Sequence, residues 1–143
     1  MANISNYLEE ALLDHVFRNV EFTRPGATLY VAIFEETKSE AELEANNRTG
    51  EITGYTGTDR PSVTFSQQDP FQNVGTGAAT IVSAAAVEYL DMPALTVGYA
   101  AVMDSAAHAG GNILYWMKLT LDKNTNAGDT FRFPAGDIVI DLD

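Results

Sequence analysis

The strongest constraint on this fold is a series of short apolar segments separated by turn residues, with no helical pattern between them. Two of them, residues 28–34 and 95–103, are apolar at both odd and even positions, and residues 113–121 form a third strand in which Lys118 indicates emergence into solvent. A strand with that pattern is covered on both faces. Because no helix lies between successive strands, a parallel α/β sheet is disfavoured. The pattern predicts a mainly β fold, an antiparallel β-sandwich or a jelly-roll-like domain.

Shorter segments complete the predicted β-region. Strands are expected at residues 62–65, 79–87, 130–133 and 138–142, with the last two joined by residues 134–137 as a hairpin. Gly98 interrupts an apolar strand, where a glycine marks a bulge or the close approach of another backbone.

One amphipathic helix precedes the strands, at residues 5–20. Its apolar stripe has Leu8, Leu12 and Val16 at helical spacing, and the acids fall mainly on the other side. Asn6 is expected to cap the helix, with Glu9 as the third helical residue. The stripe is widened by further apolar residues, namely Ala11, Leu13, Phe17 and Val20. We expect this face to bind the sheet or a neighbouring subunit.

Residues 35–60 differ from the strands on either side because acids and turn residues dominate them. Glu35, Glu36, Glu40, Glu42 and Glu44 fall within ten positions. Ser39 followed by Glu42 predicts one short capped helical turn. A connection of this length in a small domain is usually functional or mobile, so we expect a surface excursion.

Composition bounds the remaining possibilities. The 143 residues predict one domain over 1–143, with the helix at 5–20 and a β-domain over 28–143. A net charge of −12 argues against binding nucleic acid. No apolar run is long enough to span a membrane, and the first residues lack the pattern of a secretory signal.

Candidate chemistry is sparse. Asp104, Ser105 and His108 have the residue types of a catalytic triad, but a small-residue loop with no nucleophile elbow surrounds them. With two histidines and no cysteine, a structural zinc site is disfavoured. We therefore expect no catalytic residues, no cofactor and no metal.

The aromatic pair Tyr115 and Trp116 is more informative. Neighbouring positions of a strand point to opposite faces, so one ring should enter the core and the other should not. The outward ring would be a contact anchor for a partner, or would be covered by the helix or a loop.

The chain resembles a family of small bacteriophage virion proteins that are often labelled tail fibre proteins. The match rests on NYLEEALLDHVFRN, ATLYVAIF, PSVTF and the closing GGNILYWMKLTLDKNTNAGDTFRFPAGDIVIDL. The middle departs from the family pattern, since GYTGTDR at residues 54–60 stands where a Gly-Gly-Tyr-x-Arg segment is usual. The resemblance implies a structural protein located in the virion.

Three functional hypotheses follow. The first is a capsid decoration (cement) protein that binds the major capsid protein as a homo-oligomer such as a trimer. The second is a tail-fibre or baseplate-associated subunit, and the third is a module that binds host glycan. The contact residues we expect are Leu8, Leu12, Val16, and the outward member of Tyr115 and Trp116.

Overall fold

A computed structural model of the protein describes residues 2–23, 25–67 and 79–142. Within these residues lie two helices, α1 (Asn6–Phe17) and α2 (Glu40–Glu44). The strands, in chain order, are β1 (Ala2–Ile4), β2 (Leu29–Glu35), β3 (Ser62–Val63), β4 (Phe65–Gln67), β5 (Ala79–Ser83), β6 (Val87–Met92), β7 (Leu95–Met103), β8 (Ile113–Thr125), β9 (Asp129–Phe133) and β10 (Val139–Leu142).

The strands form three antiparallel sheets. One sheet has the order β1-β8-β7-β2-β3, a second has the order β10-β5-β4, and the third pairs β6 with β9. The two segments that are apolar at odd and even positions alike are β2 and β7, and together with β8 they lie at the centre of the five-stranded sheet. The predicted mainly β, antiparallel fold with an N-terminal helix is confirmed.

Two hydrophobic clusters lie on opposite faces of the five-stranded sheet. Along β2, Val31 and Ile33 belong to one cluster, whereas Ala32 and Phe34 belong to the other. The larger cluster also contains residues of the two smaller sheets, so the three sheets enclose it as a sandwich. Burial on both faces is the physical reason why these strands show no polar alternation.

The second face is covered by α2 and its flanking residues. Ser39 caps α2, because its side chain accepts from the Glu42 N–H while the Glu42 carboxylate accepts from the Ser39 N–H. This is the capping box predicted from sequence. Leu43 on α2 is completely buried, beside Phe34 and Trp116.

The segment 35–60 is therefore only partly the surface excursion that the sequence predicted. Its glutamates at 35, 36, 40 and 44 are exposed. Its other side chains reach inward, and the buried ones are Lys38, Leu43, Ile52, Tyr55 and Arg60. The apolar and aromatic residues between the acids and glycines anchor the segment to both clusters.

Two strand predictions are wrong because strand pairing is less local than the sequence indicated. The expected hairpin of residues 130–133 and 138–142 does not form, since β9 pairs with β6 and β10 pairs with β5. The strand expected at 79–87 ends at Ser83 as β5, and a second strand that was not expected, β6, begins at Val87. They belong to different sheets, so the chain must bend between them.

Gly98 lies where the chain that follows β2 crosses close to β7. A Cβ atom at position 98 would lie 2.5 Å from the Glu36 Cα. Opposite Gly98 the register shifts, because Val97 pairs with Lys123 while Tyr99 pairs with Lys118. Extra residues of β8 therefore bulge here, and both predictions made for this glycine are confirmed.

Candidate functional site

The first turn of α1 is fixed to the central sheet. Ser5, rather than the predicted Asn6, is the N-cap, and its side chain accepts from the Leu8 N–H at 3.3 Å. The Ser5 hydroxyl donates to the Ile113 carbonyl, and the Ser5 N–H donates to the Leu114 carbonyl at 3.0 Å. Leu8 is buried. The helix start is thus hydrogen-bonded to β8 at a fully buried serine.

The helix ends at Phe17, before the predicted position 20. Asn19 has a φ of +55°, a left-handed conformation that asparagine tolerates better than most residues. The chain then turns back, and the Val20 N–H donates to the Asp14 carbonyl at 3.2 Å. The Phe22 N–H donates to Nδ1 of His15 at 3.2 Å. These contacts hold the turn against the end of the helix.

The apolar stripe of α1 divides into an inner and an outer part. Of the predicted contact residues, Leu8 is buried, Leu12 is half-buried, and Val16 is 65% exposed. A contiguous group of exposed apolar residues, here called the outer face of α1, consists of Leu13, Val16, Phe17 and Val20. Helical spacing of three and four residues places Leu13, Val16 and Phe17 on one side of the helix, and Val20 follows in the turn after it. None of the described residues of the chain covers that side.

Tyr115 and Trp116 lie on opposite faces of β8, as the sequence predicted. Trp116 is buried in the cluster with Leu43 and Phe34. Tyr115 is half-buried against the larger cluster, and burial raises the pKa of its phenol. Trp116 is therefore the ring that a helix covers, because α2 lies over it. Tyr115 is the member of the pair that keeps some access to solvent.

A buried ion pair joins the two ends of the glycine-rich part of segment 35–60. The Arg60 guanidinium donates to both carboxylate oxygens of Glu51, with Nε–Oε1 at 2.7 Å and Nη2–Oε2 at 2.6 Å. The two side chains are 0% and 4% exposed. Arg60 also donates to the carbonyls of Ser105 and Gly110, at 2.8 and 3.0 Å. One arginine thus fixes residues 51–60 to the loop after β7.

His108 and two tyrosines extend this cluster. Nδ1 of His108 lies 2.9 Å from Glu51 Oε1, and its Nε2 lies 3.5 Å from the Tyr55 hydroxyl. Burial raises the pKa of Glu51, but hydrogen bonds from Arg60 and His108 outweigh it and hold that pKa below its usual value. Burial and the Glu51 charge raise the pKa of Tyr55. The Tyr89 hydroxyl donates to the Val31 carbonyl at 2.9 Å.

The structure does not bring Asp104, Ser105 and His108 together as a triad. The Asp104 carboxylate accepts from the Asn112 backbone N–H at 2.6 Å and from its side-chain amide at 2.9 Å. The Ser105 hydroxyl accepts from the Ala107 N–H at 3.3 Å. His108 instead faces Glu51, which the sequence did not indicate because the two residues lie far apart in the chain. The Asp104 and Ser105 contacts close the loop after β7.

Metal-binding clusters and membrane-spanning helices are both absent from the described part of the chain. No group of three histidine, cysteine, aspartate or glutamate residues there is placed to hold a metal ion. None of the helices is both long enough and apolar enough to cross a membrane.

The comparison with known families decides the affiliation. The family model for podophage GP4 fiber I protein gp80 matches residues 3–141. The chain belongs to this fiber I family. The match includes segment 35–60, although residues 54–60 of that segment depart from the Gly-Gly-Tyr-x-Arg pattern usual in the family. No curated protein matches the sequence.

Membership of the fiber I family makes the chain a bacteriophage virion structural protein. It agrees with the resemblance seen in the two ends of the sequence. Among the described residues of this family member, the outer face of α1 is an apolar surface that the fold leaves exposed.

Proposed function

We propose that this protein is a non-enzymatic subunit of the fibre apparatus of a phage particle, held there by the outer face of α1. Two considerations support a fibre location over capsid decoration, which the sequence alone favoured. The family description names a fibre protein. An exposed apolar helix face next to a rigid sheet also provides a contact that can be repeated from subunit to subunit.

The observation that carries the proposal is the exposure of Leu13, Val16 and Phe17, at 57%, 65% and 77%. Exposed single apolar residues are ordinary, but a contiguous group on one helix face marks an interaction surface. The fold does not use these side chains for its own core, so their burial is available to a partner. Association would bury them at about 25 cal/mol per Å² of apolar surface.

The rest of the molecule is built as a scaffold for this contact. Ser5 and Leu8 tie α1 to β8, and the buried Arg60–Glu51 pair fixes the loops at the edge of the sheet. Because α1 is already held in place, little conformational entropy is lost when it binds a partner. The protein acts by adhesion, a role that requires no catalysed reaction.

The glycan-binding alternative rested on exposed aromatic rings. Each of the six tyrosines and the one tryptophan is buried or half-buried. The ring with 77% exposure is Phe17, which belongs to the apolar face of α1. The aromatic rings therefore favour a protein contact over a sugar-stacking platform.

The test is the copy number and position of the protein in purified particles. Quantitative mass spectrometry should find a few copies for every hundred of the major capsid protein, and labelled antibody should mark the tail region in electron micrographs. A ratio near one-to-one, with label over the head, would instead establish capsid decoration. Absence from particles would reject a virion role.

A further inference from the structure

β8 has a second irregularity, near its start. Met103 pairs with Ile113 while the preceding residue of β7 pairs with Tyr115, so Leu114 is an extra residue of β8. Such a β-bulge changes the direction of the backbone groups around it. In a regular strand, consecutive carbonyls point to opposite edges. At this bulge the carbonyls of Ile113 and Leu114 both accept from Ser5, one from its hydroxyl and the other from its N–H. The bulge thus receives both attachments of the helix start.

The same bulge is also held by the residue that ends α2. Asn46 follows the C-cap of α2 and has a φ of +59°, the left-handed conformation in which an asparagine can end a helix. Its Oδ1 accepts from the Ile113 N–H at 2.7 Å, and its Nδ2 donates to Asn112 Oδ1 at 3.0 Å. Asn112 is in turn bonded to Asp104. Asn46 thereby joins α2 and the loop after β7 to the residue that accepts from the Ser5 hydroxyl.

Burial makes these hydrogen bonds decisive for position. Ser5 and Ile113 are both 0% exposed. A buried donor that loses its acceptor keeps the cost of its desolvation. The Ile113 N–H is therefore held by Asn46 on one side of the residue, and the Ile113 carbonyl is held by Ser5 on the other. The backbone at Ile113 is fixed from both sides, and α1 begins directly after Ser5.

The placement of the helix start determines where the outer face of α1 points. α1 is attached at its first turn through Ser5 and Leu8, whereas Val16 and Phe17 in its last turn are exposed. A helix of 12 residues extends about 18 Å, so a small rotation at the first turn becomes a large displacement at the last. A docking surface so far from its attachment keeps its orientation only while the attachment is rigid.

Resting on the fibre-subunit function proposed above, we propose that Asn46 is a positioning residue for the outer face of α1. It acts through the Ile113–Leu114 bulge, which it holds in the conformation that binds Ser5. The residue that ends the shorter helix thereby sets the direction of the longer one. Loss of the Asn46 side chain should loosen α1 while the central sheet remains folded.

The test uses the Asn46→Gly variant, because glycine adopts the left-handed conformation freely and only the side-chain contacts are lost. Amide hydrogen exchange in α1 should become at least about tenfold faster than in the wild type, as expected when a buried hydrogen bond no longer opposes local opening. Amides of β2 and β7, which report on global unfolding, should accelerate less. Equal acceleration in helix and sheet would mean that Asn46 only stabilises the whole fold, and would overturn the proposal.

Asn47→Ala is the matched control. Asn47 is the next residue, and its side chain bonds to the Glu42 carboxylate and the Thr49 N–H within segment 35–60, at 3.2 and 2.9 Å. This variant should leave exchange in α1 as it is in the wild type. If Asn47→Ala loosens α1 as much as Asn46→Gly does, the contact of Asn46 with β8 is not the cause, and the proposal fails.

A double-mutant cycle with Ser5→Ala tests whether the two side chains act through the same bulge. If they do, the acceleration of exchange in α1 for the double variant should be smaller than the product of the two single accelerations, because either loss already loosens the bulge. An acceleration equal to that product would show that Ser5 and Asn46 act independently, and would contradict the proposed route through Ile113.

Particle incorporation separates this proposal from the function on which it rests. Asn46→Gly should be incorporated less than Asn47→Ala, since its docking surface is no longer held in place. If Asn46→Gly is incorporated normally although α1 is loosened, while the outer-face variant Val16→Asp, Phe17→Asp is lost from particles, the positioning proposal fails alone. If the wild-type protein is absent from particles, the fibre-subunit function fails.

Discussion

The two helices of this protein differ in a way that separates folding from assembly. α1 has twelve residues and α2 has five, yet each contributes one buried side chain, Leu8 and Leu43 respectively. α2 covers the second hydrophobic cluster, and the segment after it carries the buried Arg60–Glu51 pair. On α1, by contrast, Leu13, Val16 and Phe17 remain exposed to solvent. The shorter helix serves the fold, and the longer one is largely free for a partner.

The largest expected effect comes from comparing an ion pair in each region. Arg60→Met would leave the Glu51 charge buried without its partner and should lower the free energy of unfolding by about 3–5 kcal/mol. Arg18→Met removes the exposed Arg18–Asp14 pair of α1, whose nitrogen and oxygen lie 2.9 Å apart. That control should change stability by about 0.5 kcal/mol or less. Urea unfolding measures both, and equal losses would contradict the distinction between the regions.

Two leucines give the next comparison. Leu43→Ala removes a completely buried side chain and should cost about 2–5 kcal/mol, since a cavity remains between Phe34 and Trp116. Leu13→Ala on the outer face of α1 should stay within about 0.5 kcal/mol of the wild type. Thermal and urea unfolding of the two variants provide the measurement. A large loss at Leu13 would mean that the fold does use the outer face.

Two glycines test whether segment 35–60 is held against the sheet from its first residues. In Gly98→Ala the new methyl group would lie 2.5 Å from the Glu36 Cα, so the backbones must separate, at a cost of about 1–3 kcal/mol. Gly26, between α1 and β2, has no atom within 4 Å of an added Cβ. Gly26→Ala should be neutral or stabilise by up to about 1 kcal/mol. Unchanged unfolding of the Gly98 variant would show that the two backbones separate freely.

The smallest predicted effect is a pH dependence that Glu51 brings to this region. Its folded-state pKa lies below the ordinary value of 4.5, so the unfolded chain binds the proton first. The stabilising contribution is complete above about pH 4.5 and is lost as pH falls through the lower folded-state pKa. We expect the stability of Glu51→Gln to fall less than that of the wild type between pH 5 and pH 3. If the stability of the two proteins falls equally over this pH range, Glu51 is not the source of the pH dependence.

Sequence reasoning succeeded where the signal was local. The central strands were found because β2 and β7 are apolar at both parities, and the cap of α2 was found from Ser39 and Glu42 alone. β6 was missed although Val87, Tyr89 and Met92 are buried between exposed residues, a pattern that the acids in VEYLDM obscured.

The features that the sequence did not predict depend on distant partners. Glu51, Arg60 and His108 meet across 57 positions of the chain, and no spacing rule links them. The predicted hairpin of β9 with β10 failed for the same reason, because β9 pairs with the distant β6 and β10 pairs with the distant β5. The stripe of α1 was recognised, but the sequence could not say which residues of that stripe the sheet would cover.

The role of the outer face of α1 is measured by the incorporation of the Val16→Asp, Phe17→Asp variant into phage particles, quantified by mass spectrometry beside its unfolding curve. We predict that this variant is lost from particles while its free energy of unfolding stays within about 1 kcal/mol of the wild type, since surface substitutions rarely change it by more. Wild-type incorporation of a normally folded variant would contradict the claim that the outer face of α1 holds this protein in the virion.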